Sequence, residues 1–367
     1  MGIRKGPLED LAVKRWAKTF YSGKRVLVTG HTGFKGGWLA HWLKTLGADV
    51  AGYSLPPEAS PNLFEAGAVA RGVTSVLGDV RDLAALSQLV ADHRPEVVFH
   101  LAAQALVRRS YREPVETFAT NVMGTVNLLE ACRRAGSPRA VVVVTSDKCY
   151  ENREWVWGYR EQDALGGFDP YSSSKACAEL ATAAYRRSFF EAETGVGIAT
   201  ARAGNVIGGG DWAEDRLVPD LVRARVSGTP VVIRNPTSTR PWQHVLEPLA
   251  GYLLLAQKLW EDPAPHSGPW NFGPDAGESV PVIEVARVFA RELGVALETP
   301  EQEAVHEARS LKLDSSRAKL LLGWKPRLTL DESLTLTARW YRAYLDDSAS
   351  APRMLDEQIE HYSGLGE

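Results

Sequence analysis

A chain of 367 residues with 44% hydrophobic content can bury a large core and has room for one large domain or two. Its 42 basic and 45 acidic residues leave a net charge of −3, which excludes a general electrostatic pull toward nucleic acid or a membrane surface. Three cysteines, Cys132, Cys149 and Cys177, without metal-ligand spacing, argue against a disulfide framework or a metal site and fit a reducing cytoplasm. Residues 1–24 mix charge with Trp16, Phe20 and Tyr21 and lack the apolar run of a signal peptide. No stretch approaches the roughly 18 apolar residues of a membrane span. The expectation is a soluble cytoplasmic protein.

Residues 25–29 read as a buried strand, and 36–47 as its helix, with Trp38, Leu39, Trp42, Leu43 and Leu46 on helical spacing. Strands follow at 49–53 and 73–77, a helix at 83–93, a fourth strand at 97–101 and a helix near 121–135. The four valines within 140–145 suit a strand covered on both faces. A helix at 171–190 and a strand at 196–202 complete the alternation. The fold class is α/β: a doubly wound parallel Rossmann sheet with a smaller C-terminal substrate-binding lobe. The boundaries are 22–205 for the first unit, with a return around 230–262 that includes a helix at 249–260, and 206–347 for the lobe. Beyond about residue 203 prolines punctuate short apolar segments, and the turns from Ser348 on read as loosely packed.

Between the first strand and its helix runs Gly30-His31-Thr32-Gly33-Phe34-Lys35-Gly36. Gly30 permits the tight turn, Gly33 lets backbone approach a pyrophosphate, and Gly36 allows close helix–strand packing. Amides at the helix N-terminus then hold the anion. Thr32, Phe34 and Lys35 belong to the same dinucleotide-binding turn. Asp79, followed by Val80, stands after the third strand and is placed to meet adenine. The second strand ends Gly52-Tyr53-Ser54-Leu55, with neither the carboxylate that marks NAD nor an arginine that marks NADP, so this strand alone leaves the two open.

About 140 residues after the turn stand Tyr171 and Lys175, four apart on one helix face. There the ammonium can lower the phenol's pKa, so that the phenolate takes a proton from a sugar hydroxyl near neutral pH. Ser146, Asp147 and Lys148 directly follow the valine strand, at the carboxyl edge where a parallel sheet opens its ligand crevice. Together these residues point to hydride chemistry on a bound nicotinamide.

The glycine turn with Tyr171-x-x-x-Lys175 resembles the extended short-chain dehydrogenase/reductase superfamily, whose members act on nucleotide sugars. More narrowly, the segments around Gly30, Ser146-Asp147-Lys148-Cys149-Tyr150 and Gly167-Phe168-Asp169-Pro170-Tyr171 resemble the CDP-glucose branch of the 4,6-dehydratases, as does Trp155-Val156-Trp157-Gly158-Tyr159. The dTDP-glucose branch carries Glu where Lys148 stands. The resemblance implies tightly held NAD and an internal hydride transfer from C4 to C6, with water lost from C6. It implies Ser146 on the C4 oxygen beside Tyr171, a protonated Asp147 as general acid, and Lys148 at the position of the C5 base. Lys148 is then either a neutral amine or a charged stabiliser of the enolate. It implies Lys175 on the nicotinamide ribose and Leu101, Ala102, Ala103 and Gln104 beside the cofactor, while His100 and Asn121 read as structural. Cys149 and Cys177 read as buried thiols, Tyr150 and Tyr159 as core or lining aromatics. Asn205, Arg216, Arg234 and Arg240 are the candidates for the sugar nucleotide, since guanidinium pairs with phosphate bidentately. The superfamily also implies a homodimer or homotetramer. The rivals are a dehydratase of dTDP-glucose or GDP-mannose, a nucleotide-sugar 4-epimerase, which lacks the Asp-plus-base pair, and an inactive NAD-binding regulator.

Overall fold

The computed structural model describes residues 13–190, 195–233, 235–275, 280–298 and 311–365. Seven strands form one sheet: β1 (Arg25–Thr29), β2 (Asp49–Ser54), β3 (Thr74–Leu77), β4 (Val97–His100), β5 (Ala140–Val144), β6 (Gly197–Ala203) and β7 (Gly268–Phe272). Their order is β7-β6-β5-β4-β1-β2-β3, and every pairing is parallel. The doubly wound sheet is therefore as expected. Winding reverses between β1 and β4, which pair Val28 with Phe99 and Thr29 with His100. A ligand crevice opens beyond their carboxyl ends.

β1, β4 and β5 read as nearly unbroken apolar runs because both faces are covered. Val26, Val28, Phe99, Val142 and Val144 point into one layer, while Leu27, Val98, Val141 and Val143 point into the other. The first layer is closed by α1 (Val13–Tyr21) and α2 (Phe34–Thr45), the second by α3 (Leu83–His93) and α4 (Gly124–Ala135). Next come α5 (Pro170–Tyr185), α6 (Leu217–Ser227) and α7 (Leu246–Glu261); Leu249, Tyr252 and Leu253 of α7 pack back into the first layer. The same layer takes side chains from α8 (Val282–Leu293), α9 (Leu330–Asp346) and α10 (Ala351–Gly364). Trp38 and Trp42 of α2 are fully buried, and each contributes on the order of 2–3 kcal/mol by burial. Among the described residues no helix is long and apolar enough to cross a membrane.

Two findings depart from the sequence reading. β7 joins the sheet although Pro269 interrupts it; an edge strand tolerates a missing amide donor on its outer side. The expected loose packing after Ser348 is wrong. Ala351, Leu355, Ile359 and Tyr362 of α10 are buried at helical spacing. Tyr362 meets the Trp42 ring edge-on at 5.8 Å, and His41 Nε2 lies 2.7 Å from Asp356 Oδ1, so α10 is strapped onto α2. Residues after β6 also make three short pairings, Val206–Ile207 with Gln243–His244, Val231–Val232 with Leu297–Glu298, and Thr239–Arg240 with Val280–Pro281.

Candidate active site

Tight contacts shape the glycine turn. Gly30 has φ +79°, and a Cβ there would lie 2.7 Å from the Ala102 amide nitrogen; at Gly36 it would lie 2.0 Å from the Gly30 carbonyl oxygen. At Gly33 it would meet only the Gly30 oxygen, at 3.4 Å, so this position is open on its outer side. Gly33 caps α2 without any side-chain hydrogen bond, and the first turn of α2 holds no acidic residue. Its free amides suit an anion. Thr32 Oγ1 bonds Ser54 Oγ (2.7 Å) and donates to the Leu55 carbonyl (2.8 Å), tying the turn to the end of β2. Half-buried Phe34 opens α2. These residues fit a dinucleotide.

Leu101, Ala102 and Ala103 lie half-buried beyond β4, where Thr29 Oγ1 accepts from the Leu101 and Ala102 amides at 3.2 Å each. The Gln104 backbone donates to Asn121 Oδ1 and accepts from Asn121 Nδ2, which also donates to Ser174 Oγ at 2.8 Å. Asn121 thus links the end of β4 to α5. His100 sits between Thr29 and Thr125 hydroxyls, held neutral by burial, which drives its pKa to about 3. Val80 is buried against Gly124. Asp79 is grasped by Arg81, at 3.0 and 2.9 Å from Nε, and this ion pair holds the carboxyl below its usual range.

Residues after β5 and in the first turns of α5 converge on the crevice. Asp169 caps α5 by accepting from the Ser172 amide (2.9 Å), and Pro170 at the first helical position sets Tyr171 and Lys175 on one face. Ser146, Asp147, Tyr171 and Lys175 are all buried, with Lys148 half-buried beside them. Asp147 Oδ1 accepts from Ser146 Oγ at 3.0 Å, whereas Oδ2 is buried without a partner. Burial pushes the Asp147 carboxyl up, against the opposing charges of Lys148, Arg240 and Lys35 and the Ser146 hydrogen bond. A proton-donating Asp147 is consistent with that environment. Lys175 Nζ donates to the Val144 carbonyl at 3.3 Å, and burial lowers its pKa to about 8.

Tyr171 requires a correction. Burial pushes its phenol up to about 12, and the groups that pull it back are Ser146, by hydrogen bonding, and Arg216, by charge. Desolvation of a phenolate outweighs what neighbouring cations return, so the lowering expected from Lys175 does not prevail in the protein alone.

Lys35 also lies elsewhere than its place in the turn suggests. Its ammonium feels Asp147, Lys175, Arg216 and Asp211, so it faces the catalytic crevice; burial first, then Arg216, lowers it to about 8. Arg216 donates to Asp211 Oδ2 at 2.8 Å. Arg240 is buried and donates to the Thr239 carbonyl at 3.0 Å. Asn205 is half-buried, and its carbonyl accepts from the Gln243 amide at 3.0 Å. Arg234 lies outside the described residues. Lys35, Lys148, Lys175, Arg216 and Arg240 therefore converge around few acids, a field that suits a diphosphate.

Sequence reasoning missed Asp211, which fixes Arg216, and the buried pair Glu179–Arg202 behind Lys175. Glu179 stands one helical turn beyond Lys175, a spacing that could have signalled it. Of the expected buried thiols Cys149 is buried, whereas Cys177 is half-buried. Tyr150 and Tyr159 are core aromatics, stacked at 5.1 Å.

A family profile described as "NAD dependent epimerase/dehydratase family" matches residues 26–273. CDP-glucose 4,6-dehydratase of Salmonella typhimurium is 51% identical over 336 residues, 89% of this chain and 93% of that protein. A UDP-glucose 4-epimerase from Thermus thermophilus, in complex with NAD, superposes with a TM-score of 0.74 at 27% identity, covering 87% of this chain and 99% of its own. The dTDP-glucose 4,6-dehydratase of Bacillus anthracis, with NAD, shares the fold at a TM-score of 0.72 and 21% identity, covering 88% and 97%.

Proposed function

The chain belongs to the NAD dependent epimerase/dehydratase family, and from that premise we propose that it is a CDP-glucose 4,6-dehydratase. It converts CDP-D-glucose to CDP-4-dehydro-6-deoxy-D-glucose and water. The observation that carries this reading is the extent of identity with the Salmonella enzyme along nearly the whole of both chains. A buried carboxyl with a raised pKa at Asp147 supports dehydration over epimerisation, because only loss of the C6 hydroxyl needs an acid there.

The cofactor is NAD, held by Gly30, Thr32, Gly33, Phe34 and Gly36 of the turn, with Asp79, Val80, Leu101, Ala102, Ala103 and Gln104 alongside. When bound, it would supply the acceptor for the C4 hydride and its donor to C6, and a positive charge in the crevice. Tyr171 removes the C4 hydroxyl proton while Ser146 hydrogen-bonds the C4 oxygen. The resulting ketone acidifies the C5 proton, which is lost beside Lys148, and a proton returns to C5 when hydride is delivered to C6. Asp147 gives its proton to the departing C6 hydroxyl, which leaves as water. Lys175, one helical turn beyond Tyr171, also holds the nicotinamide ribose. Lys35, Arg216 and Arg240 hold the diphosphate, and Asn205, just beyond β6, lies along the sugar nucleotide.

The protein works in the cytoplasm as a homodimer or homotetramer. Support for assembly comes from exposed apolar side chains on adjoining elements: Val115 and Phe118 of the helix Pro114–Phe118, Met123 just beyond it, and Leu180 of α5. Light scattering of the purified protein reads the assembly. The function is tested by proton NMR with CDP-glucose in heavy water and no added NAD. A new C6 methyl signal with deuterium at C5 is expected. Turnover of dTDP-glucose or GDP-mannose instead would remove the CDP assignment, and inversion at C4 without a methyl signal would mean an epimerase.

A further inference from the structure

We propose that Glu179 is a positioning residue of this site: its buried carboxylate, locked by Arg202, fixes the strand end before Ser146 against the helix that carries Tyr171 and Lys175. The inference rests on the functional reading above only in taking those residues as the reacting machinery.

Glu179 and Arg202 are 4% and 2% exposed. Glu179 Oε1 accepts from Thr145 Oγ1 (2.5 Å) and Arg202 Nε (2.9 Å). Its Oε2 accepts from Thr200 Oγ1 (2.7 Å) and Arg202 Nη2 (2.7 Å). One side chain of α5 is thus bonded to the residue preceding Ser146 and to two residues of β6. Arg202 continues outward, with Nη1 donating to Tyr150 Oη (2.8 Å) and its guanidinium 4.8 Å from that ring. Tyr150 in turn donates to Asn271 Oδ1 of β7 at 2.7 Å. The segments on both sides of the crevice therefore meet at one carboxylate.

Stability alone is a poor reason for this arrangement. Removing two charges from water costs several kcal/mol per ion, and an apolar pair of the same volume is often as stable. What an apolar pair lacks is directional bonding to both threonines. A misplacement of 1 Å between groups that must act together can cost about a hundredfold in rate. The charge matters as well. Lys175 is faced by Glu179 from its own helix, Cys149 from the turn after β5, His100 from β4 and Lys35 from α2. His100 is neutral, and burial raises the Cys149 thiol well above its ordinary value, so Glu179 is the anion of this group that favours the Lys175 ammonium.

Three variants separate register from charge: Thr145→Val, Glu179→Gln, and Glu179→Gln with Arg202→Met. The last removes both charges, so that no unpaired guanidinium is left to unfold the protein. For each, kcat and KM for CDP-glucose are measured against pH, with thermal unfolding alongside. Thr145→Val keeps the charge and should lower kcat about tenfold with an unchanged pH profile. Loss of the Glu179 charge should also move the alkaline limb of kcat to lower pH by about one unit, with KM nearly unchanged. Glu179→Asp should restore the limb. A folded double variant with the wild-type pH profile and kcat would overturn the proposal, as would a Thr145→Val enzyme of wild-type kcat. If wild-type protein ignores CDP-glucose, the substrate reading fails by itself. The same profiles are then read as cofactor reduction with whichever nucleotide hexose it oxidises at C4.

Discussion

Gly33 and Gly36 sit three residues apart in the same turn, yet alanine at each should do opposite things. At Gly36 the new methyl would stand 2.0 Å from the Gly30 oxygen and 2.6 Å from its carbonyl carbon. A comfortable separation is about 3.5 Å, so α2 must draw back from the turn by more than 1 Å. Overpacking of this kind costs about 1–3 kcal/mol. At Gly33 the nearest atom is 3.4 Å away and φ is −82°, a conformation alanine adopts freely. Without ligand, Gly33→Ala should change stability by less than about 1 kcal/mol, because restriction of the unfolded chain opposes the loss of a glycine N-cap. Its methyl instead occupies the outer side of the turn, where a pyrophosphate must approach. We expect Gly33→Ala to purify with little NAD and to bind it at least about tenfold more weakly, a loss of about 1.4 kcal/mol. Urea unfolding gives the stability, and NAD released from the denatured protein gives the occupancy. A Gly33→Ala protein that holds NAD as wild type does, or that is destabilised without it by more than about 1 kcal/mol, would refute the assignment of this turn.

Asp147→Asn keeps shape but supplies no proton, so dehydration should fall by about 10²–10⁴, while cofactor reduction by CDP-glucose persists as a rise in nicotinamide absorbance. Lys175→Met should abolish activity yet stabilise the fold at pH 7 by up to about 3 kcal/mol, since burial lowers Lys175 to about 8. The unfolded chain holds that proton more tightly, so the wild-type penalty is full below pH 8 and fades between about 8 and 10.5; urea unfolding at pH 7 and pH 10 checks it. Glu247 is the reverse case. Burial raises it to about 7, with Arg327 and Leu328 amides and the Tyr362 hydroxyl as its donors. The folded state holds this proton more tightly, so stability falls as pH rises from about 4.5 to 7. Glu247→Gln should then exceed wild type by on the order of 1–3 kcal/mol at pH 8 and match it only at about pH 4 or below, measured by urea unfolding.

What the sequence disclosed depended on whether the signal was local. β1, β4 and β5 were legible because each is a short apolar run flanked by turn residues, β2, β3 and β6 because they fall in the same alternation with helices, and Tyr171 with Lys175 because one helical turn separates them. β7 was obscured by Pro269, whose missing donor matters only if a strand has neighbours on both sides. The Glu179–Arg202 pair was illegible, since the two stand 23 positions apart and only the packing of α5 on β6 brings them together. The direction of Lys35 was likewise hidden. A motif records that a lysine follows the turn, not that its stem carries the ammonium toward Asp147 and Arg216. The Tyr171 phenol misled for a different reason, because burial is a property of the folded crevice rather than of residue spacing.

The strap between α10 and α2 bears on how the protein is made. On a ribosome, β1 and the glycine turn emerge first, but the surface of α2 that bears His41 and Trp42 waits for Asp356 and Tyr362. More than 300 residues of synthesis separate the two. A nascent chain halted before Tyr362 would lack the carboxylate and the ring that meet His41 and Trp42 on α2. Release of nearly the whole chain, rather than completion of its first half, is then the event that covers this face of α2.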